Sequence, residues 1–240
     1  MTMHESKLEK REEIANGTMA FHFEKPVGFT FKPGQAIDVL LAQAPGTDAQ
    51  SMRHTFSIVS APFENELIIA TRMRDSTFKR ALRALPTGER VAIDGPSGSL
   101  VLHKDRGRPA VFIAGGIGIT PFMSMLRQSA RDRLDQRQLL LYSNRRPEDA
   151  AFLPELQQIA QQNRSFRLVA TMTQMGGSRV PPGVQTGLID AALLTSVTVD
   201  LTAPIYYVAG PPALVEGMRQ VLEDMGIDDI DIRSEDFYGY

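Results

Sequence analysis

The sequence contains no cysteine. That absence excludes disulfides, thiolate zinc sites, cysteine nucleophiles and iron–sulfur clusters held by thiolates. Long apolar runs are missing too: the longest, Ala110 to Ala114, is far short of the ~20 residues a membrane helix needs. The opening stretch, Met-Thr-Met-His-Glu-Ser-Lys-Leu-Glu-Lys-Arg, is charged and lacks the apolar centre of a signal peptide. Neither sign of charge is in excess, since 26 basic and 28 acidic residues leave a net charge of −2. The balance gives no general reason to bind nucleic acid or an anionic membrane. These features point to a cytoplasmic protein with neither as partner, and its 240 residues suffice for one large domain or two small ones.

What is present falls into two halves. Up to about Asp105 the chain reads as short strands between turns. Alternation marks residues 7–14, 18–24, 36–41, 55–60, 67–73 and 90–94, punctuated by Asn16-Gly17, Pro26 and Pro33-Gly34. One helix interrupts them, starting at the capping candidates Asp75 and Ser76 and stopping at Pro86 and Gly88. Several strands, one helix and many turns suggest a small antiparallel barrel. Beyond Asp105, strands near 110–114, 138–142, 166–173 and 204–208 alternate with helices after Thr120-Pro121, after Pro147 and over 213–225. That rhythm predicts a parallel α/β sheet with right-handed crossovers. Every lysine and histidine lies at or before Lys104, and all later basic residues are arginine, which agrees with a boundary there. The most loop-like segment is 176–183.

Four places carry possible chemistry. Gly115-Gly116-Ile117-Gly118-Ile119-Thr120-Pro121 joins a strand to a helix. Glycines there let backbone approach a pyrophosphate at the helix N-terminus, although such a turn also occurs for purely structural reasons. At the end of the next strand, Ser143, Asn144, Arg145 and Arg146 offer hydroxyl and guanidinium groups and no acid before Glu148. This favours the 2′-phosphate of NADP over the hydroxyl of NAD; the alternative is a solvated turn with surface arginines. Gly210-Pro211 sits at a further strand-to-helix junction, or is a turn stiffened by proline. Finally, Arg53-His54-Thr55-Phe56-Ser57 opens a strand and, with Ser76-Thr77 at a helix start, makes a two-point cradle for a phosphate-bearing cofactor.

Taken in order, Arg53…Phe56-Ser57, Gly95-Pro96-Ser97-Gly98, Gly115 to Pro121, Tyr142 to Arg145 and Gly210-Pro211 resemble the ferredoxin–NADP reductase superfamily over essentially the whole chain. The resemblance implies an FAD-binding Greek-key β-barrel over residues 1–105. An NADP(H)-binding, Rossmann-like parallel α/β domain would follow over 106–240, with the two cofactors meeting between them. It puts Phe56 on the isoalloxazine and Ser57 near its N5, with Thr55, Thr71 and Arg72 in the flavin site. Arg53 or His54, with Ser76 and Thr77, would hold the flavin pyrophosphate. The family pattern of arginine, any residue, aromatic, serine has His54 at its arginine position, so both stay open. Gly115, Gly116, Gly118 and Thr120 would hold the nicotinamide nucleotide, Thr120-Pro121 would approach the nicotinamide, and Ser143, Asn144 and Arg145 would take the adenosine end. Ala209 stands where many members have the cysteine of Cys-Gly-Pro. Glu235, with Phe237 or Tyr240, matches a C-terminal acid and aromatic at the flavin; the alternative is a frayed acidic tail anchored by Phe237.

The implied activity is hydride transfer between NADPH and FAD, with electrons passed to a separate acceptor. Many relatives carry a fused iron–sulfur domain, which a chain without cysteine cannot provide. The expected acceptor is therefore ferredoxin, flavodoxin or a small molecule, and Arg53, Arg72, Arg74, Lys79, Arg80 and Arg83 are candidates for a basic docking surface. Two rivals remain: an NAD(P)H:flavin reductase that uses free flavin as substrate, and a nucleotide-sensing module without turnover.

Overall fold

In the computed structural model, residues 3–42, 50–175 and 180–238 are described. The first half forms six strands: β1 (Met3–Ala15), β2 (Thr18–Glu24), β3 (Ala36–Leu40), β4 (Arg53–Ser57), β5 (Glu66–Arg72) and β6 (Arg90–Ser97). They pair antiparallel in the order β4-β3-β6-β1-β2-β5. A bridge from Ile58 to Ile69 brings the two edges together, so the sheet closes into the expected barrel. β1 begins well before the alternation does because it serves two neighbours: Met3–Lys7 pair with β6, and Leu8–Ala15 with β2. In its first part the buried position is held by Ser6, whose hydroxyl donates to the Glu24 carbonyl at 2.6 Å, so no apolar alternation marks it.

The inward side chains are large and apolar: Phe21, Phe23, Ile37, Val39, Phe56, Ile58, Leu67, Ile69 and Ile93. One helix, α1 (Thr77–Ala84), closes this core with Phe78 and Leu82. Burial of such side chains contributes about 1.5–3 kcal/mol each. Ser76 caps α1 by accepting the Lys79 N–H at 3.2 Å.

The second half builds β7 (Ala110–Gly115), β8 (Gln138–Asn144), β9 (Phe166–Met172), β10 (Val184–Thr186), β11 (Ile205–Gly210) and β12 (Ile232–Asp236). All pair parallel, in the order β10-β9-β8-β7-β11-β12. The helices are α2 (Thr120–Asp132), α3 (Leu153–Gln162), α4 (Ala191–Thr198) and α5 (Pro212–Asp224). β7 is buried along its whole length, as its unbroken apolar run implies for a strand covered on both faces. β10, α4 and β12 are additions to the sequence reading. The acidic tail contains the sixth strand, paired to β11, and the Phe237 N–H donates to the Gly210 carbonyl at 2.9 Å. Residues 176–179 of the loop-like segment, and Tyr240, lie outside the described residues.

Contacts divide the chain into one compact unit up to Val101 together with Thr120–Gln128, and a second from Leu102 to Ile119 and from Ser129 onward. Within the second, His103 is buried below β7. Its backbone N–H donates to the Tyr207 hydroxyl at 2.8 Å, its Nδ1 lies 2.7 Å from that oxygen, and its Nε2 lies 2.9 Å from the Arg108 carbonyl. The Gln136 side-chain amide nitrogen also lies 2.8 Å from Nε2. Burial, reinforced by Arg233 and Arg108, holds His103 below the ordinary histidine value despite its bond to Arg108. The unfolded ring titrates near ~6.5, so the stability from His103 is complete above about pH 6.5 and is lost as pH falls towards the lower folded value. Thermal unfolding should therefore show a smaller acid-induced drop in Tm for His103→Gln than for wild type below about pH 6.5.

Candidate functional site

The order of the parallel sheet reverses beside β7: β8, β9 and β10 lie to one side, β11 and β12 to the other. At such a switch point the loops leaving two neighbouring strands diverge and open a crevice at the carboxyl ends. Gly115 ends β7 and Gly210 ends β11, and a Cβ on Gly210 would lie 3.1–3.3 Å from Gly115 backbone. A Cβ on Gly118 would fall 2.1 Å from the Ala209 carbonyl oxygen, so glycine alone lets the loop pass this strand. Gly116 has φ +53 and open space around its missing Cβ.

The helices leaving this edge start without side-chain caps. α2 begins after Ile119 with Pro121 in its first turn, and α5 begins after Pro211 with Pro212; neither has a capping hydrogen bond from a side chain. By contrast, Ser76 caps α1 and Asp190 caps α4. A helix start without a side-chain cap keeps its positive dipole end, which favours an anion.

Along the same edge, Ser143 pairs in register with Gly115 on one side and Thr171 on the other. Thr171 is fully buried, and its hydroxyl has no hydrogen-bond partner among the described residues. Thr171 escaped the sequence reading because only the strand register puts it beside Ser143. The two arginines separate: Arg146 pairs with Asp149 at 3.2 Å and Glu148 at 3.4 Å, whereas Arg145 is exposed and makes no ion pair among the described residues. Glu235 pairs in register with Ala209. It is half-buried, and burial pushes its carboxyl above the ordinary range. Phe237 is buried beside Gly210.

In the barrel, β4 sends its residues to two faces. His54 and Phe56 pair with Val39 and Ile37 on the core side. Their rings stack at 4.7 Å, and both lie against Phe78. Phe56 is 2% exposed, so the flavin stacking implied by resemblance finds no open ring face here. Arg53 and Thr55 lie on the opposite face. Arg53 Nε donates to Asp38 at 2.8 Å and its terminal nitrogen to Asp94 at 2.8 Å, while the Thr55 hydroxyl donates to Asp38. Two carboxylates thus engage Arg53 on the face opposite His54 and Phe56. Ser57 is buried, and its hydroxyl has no partner among the described residues. Thr71 is fully buried and donates to the Arg72 carbonyl at 3.4 Å, with Arg72 half-buried. Ser76 and Thr77 are exposed. Lys79, expected on an exposed basic surface, is 2% exposed, and Arg80 pairs with Asp75. The expected patch therefore loses Arg53 and Lys79.

These features fit nucleotide cofactors. An unpartnered buried hydroxyl at Ser57 suits a hydrogen-bonding ring edge, and the uncapped turns after β7 and β11 suit a diphosphate. Among the described residues, no helix is long and apolar enough to cross a membrane.

Residues 112–220 match the family described as the oxidoreductase NAD-binding domain. The chain is 28% identical over 207 residues to the reductase component of propane 2-monooxygenase from Rhodococcus jostii, covering 84% of this chain and 54% of that protein. It is 31% identical over 170 residues to methane monooxygenase component C from Methylosinus trichosporium, covering 70% and 48%. The chain thus spans about half the length of these curated relatives. Its fold matches a ferredoxin NADP+ reductase from Neisseria gonorrhoeae, crystallised with FAD and NADP, at a TM-score of 0.80, 24% identity, and coverage of 98% of this chain and 99% of that one. The chain is thus similar to the oxidoreductase NAD-binding domain family over residues 112–220, and it shares the fold of the ferredoxin NADP+ reductase.

Proposed function

We propose that this protein is a reductase that takes hydride from NADPH onto FAD and passes electrons to a separate carrier protein, ferredoxin or flavodoxin, in the cytoplasm. The observation that carries the reading is the switch point, where β7 and β11 both end in glycine within the matched residues. The functional division is proposed at residues 1–105 for flavin and 106–240 for nicotinamide nucleotide.

Bound flavin would accept hydride from reduced nicotinamide and deliver electrons singly. The residues of this chain bind and orient. Gly115, Gly116, Gly118 and Thr120 would hold the dinucleotide diphosphate against the start of α2, with Pro121 and Gly210-Pro211 bordering the nicotinamide. Ser143, Asn144 and Arg145 would take the adenosine end, with Arg145 supplying the unengaged charge. Ser57 would hydrogen-bond the flavin ring at N5, and Ser76 and Thr77 would face its phosphates. Glu235, whose carboxyl burial pushes above the ordinary range, would hydrogen-bond the nicotinamide from the strand beside Ala209. Removing Glu235–Tyr240 would also remove part of β12 and the Phe237 anchor, so Glu235→Gln is the cleaner variant for testing that role.

Reconstitution with FAD, removal of unbound flavin and measurement of NADPH oxidation with ferredoxin, flavodoxin or free flavin tests the reading. Retained flavin and turnover with a carrier protein support it. A colourless protein that turns over with free flavin alone supports a flavin reductase, and absence of turnover with every acceptor overturns both. For the coenzyme, Arg145→Ala should raise KM for NADPH about tenfold and leave KM for NADH within about twofold, the loss expected for one charge-assisted phosphate bond. Equal changes for both coenzymes would remove Arg145 from the 2′-phosphate.

A further inference from the structure

We propose that a cavity of the first compact unit, between the β1–β2 hairpin and the carboxyl end of α1, binds a small monocarboxylate with an apolar body. The cavity measures about 220 Å³ and is lined by Arg11, Glu13, Gly17, Met19, Met73 and Arg83. Arg83 stands in the last turn of α1, about 9 Å along the axis from Thr77 at the helix start. The site is thus separate from the helix end assigned to flavin phosphates, and the inference does not rest on the flavin reading.

The hairpin and the end of β5 build the floor. Glu13 pairs with Met19 across β1 and β2, and its carboxylate accepts the Gly17 N–H at 3.0 Å. The Gly17 carbonyl accepts the Met73 N–H at 2.8 Å, which holds the end of β5 at the hairpin tip. Met19 and Met73 pack against the barrel core and are half-buried, whereas both arginines are exposed, so apolar surface lies below and charge at the mouth. Arg11 donates through one terminal nitrogen to the Arg83 carbonyl and, at 2.8 Å, to the Leu85 carbonyl. That contact covers the negative end of α1 and fixes the guanidinium, while its Nε and other terminal nitrogen make no hydrogen bond among the described residues. The Arg83 side chain makes neither a hydrogen bond nor an ion pair among the described residues.

The ligand class follows from this lining. Guanidinium groups present planar pairs of donors that match a carboxylate. Two guanidiniums and the Glu13 carboxylate leave a single positive charge, which one monoanion balances and a phosphate dianion exceeds. Methionine side chains adapt to an irregular apolar body. An apolar cavity of ~150 Å³ holds benzene, so this one suits a ligand the size of benzoate or hexanoate.

The test is isothermal titration calorimetry of the full chain with FAD and NADP+ in excess and ionic strength held constant. Benzoate and hexanoate should bind with Kd on the order of 1 mM or tighter. Acetate, which lacks the apolar body, benzyl alcohol, which lacks the charge, and inorganic phosphate, with its second charge, should each bind about tenfold or more weakly. Arg83→Gln should weaken benzoate about tenfold or more, because it removes a charge-assisted donor and no side-chain bond within the protein. Glu13→Gln, which keeps an acceptor for the Gly17 N–H, should tighten benzoate and bring phosphate closer to it. Absence of saturable binding by either carboxylate, or phosphate binding as tightly as benzoate, overturns the proposal, and neither result depends on a variant folding. Benzoate binding that Arg83→Gln and Glu13→Gln both leave unchanged places the ligand elsewhere and overturns it too.

Discussion

Gly118→Ala is expected to lower Tm by roughly 6 °C or more, the consequence of an overpacking cost of about 3 kcal/mol in a chain of this size. The new methyl would meet the Ala209 carbonyl oxygen at 2.1 Å, its carbon at 2.4 Å and the Gly210 Cα at 2.6 Å. All three atoms are backbone in the edge formed by β11, so relief requires moving a central strand rather than rotating a side chain. NADPH affinity should fall with stability, since the same shift displaces the turn after β7 from the end of β11. Gly116→Ala is the control. Its methyl would meet nothing within 4 Å, and its cost comes only from φ +53, about 1–2 kcal/mol. Differential scanning fluorimetry of the two variants separates close approach from backbone conformation. Equal, small shifts would show that the loop does not need this contact.

Arg53→Met is expected to destabilise the barrel strongly at neutral pH. Asp38 and Asp94 are register partners on adjacent strands β3 and β6, and Arg53 donates to both. Removing it leaves two neighbouring carboxylates facing each other, and Asp94 is 7% exposed. Adding Asp38→Asn should recover most of the lost Tm, because it removes one of the opposed charges and preserves the acceptor for the Thr55 hydroxyl. Thermal melts of the single and double variants provide the check. Absence of rescue by Asp38→Asn would show that Arg53 acts through something other than this pair.

The features legible in the sequence were those set by neighbouring residues. The glycine turn after β7, the proline-started helix α2 and the buried apolar run of β7 follow from local backbone and periodicity rules, and so did the alternation of strands and helices that gives the parallel sheet. What could not be read depends on register between distant strands. Arg53 looked like a phosphate ligand because Asp38 and Asp94 lie fifteen and forty-one residues away in sequence, yet they occupy the strands beside it. Thr171 joins Ser143 for the same reason. Lys79 reads as a solvated helix residue until α1 is docked on the barrel, and β12 reads as a polar tail because an edge strand of a parallel sheet keeps one side in water. The choice between Arg53 and His54 was open in one dimension; pairing of β4 with β3 sends them to opposite faces.

The most direct measurement is the visible absorption spectrum of the FAD-loaded protein during anaerobic titration with NADPH. A reductase that carries both cofactors loses its oxidised flavin band in proportion to NADPH added, to completion near one equivalent, and regains it when a carrier protein is supplied. Retained FAD whose spectrum is unchanged by excess NADPH and by excess NADH would contradict the proposed function.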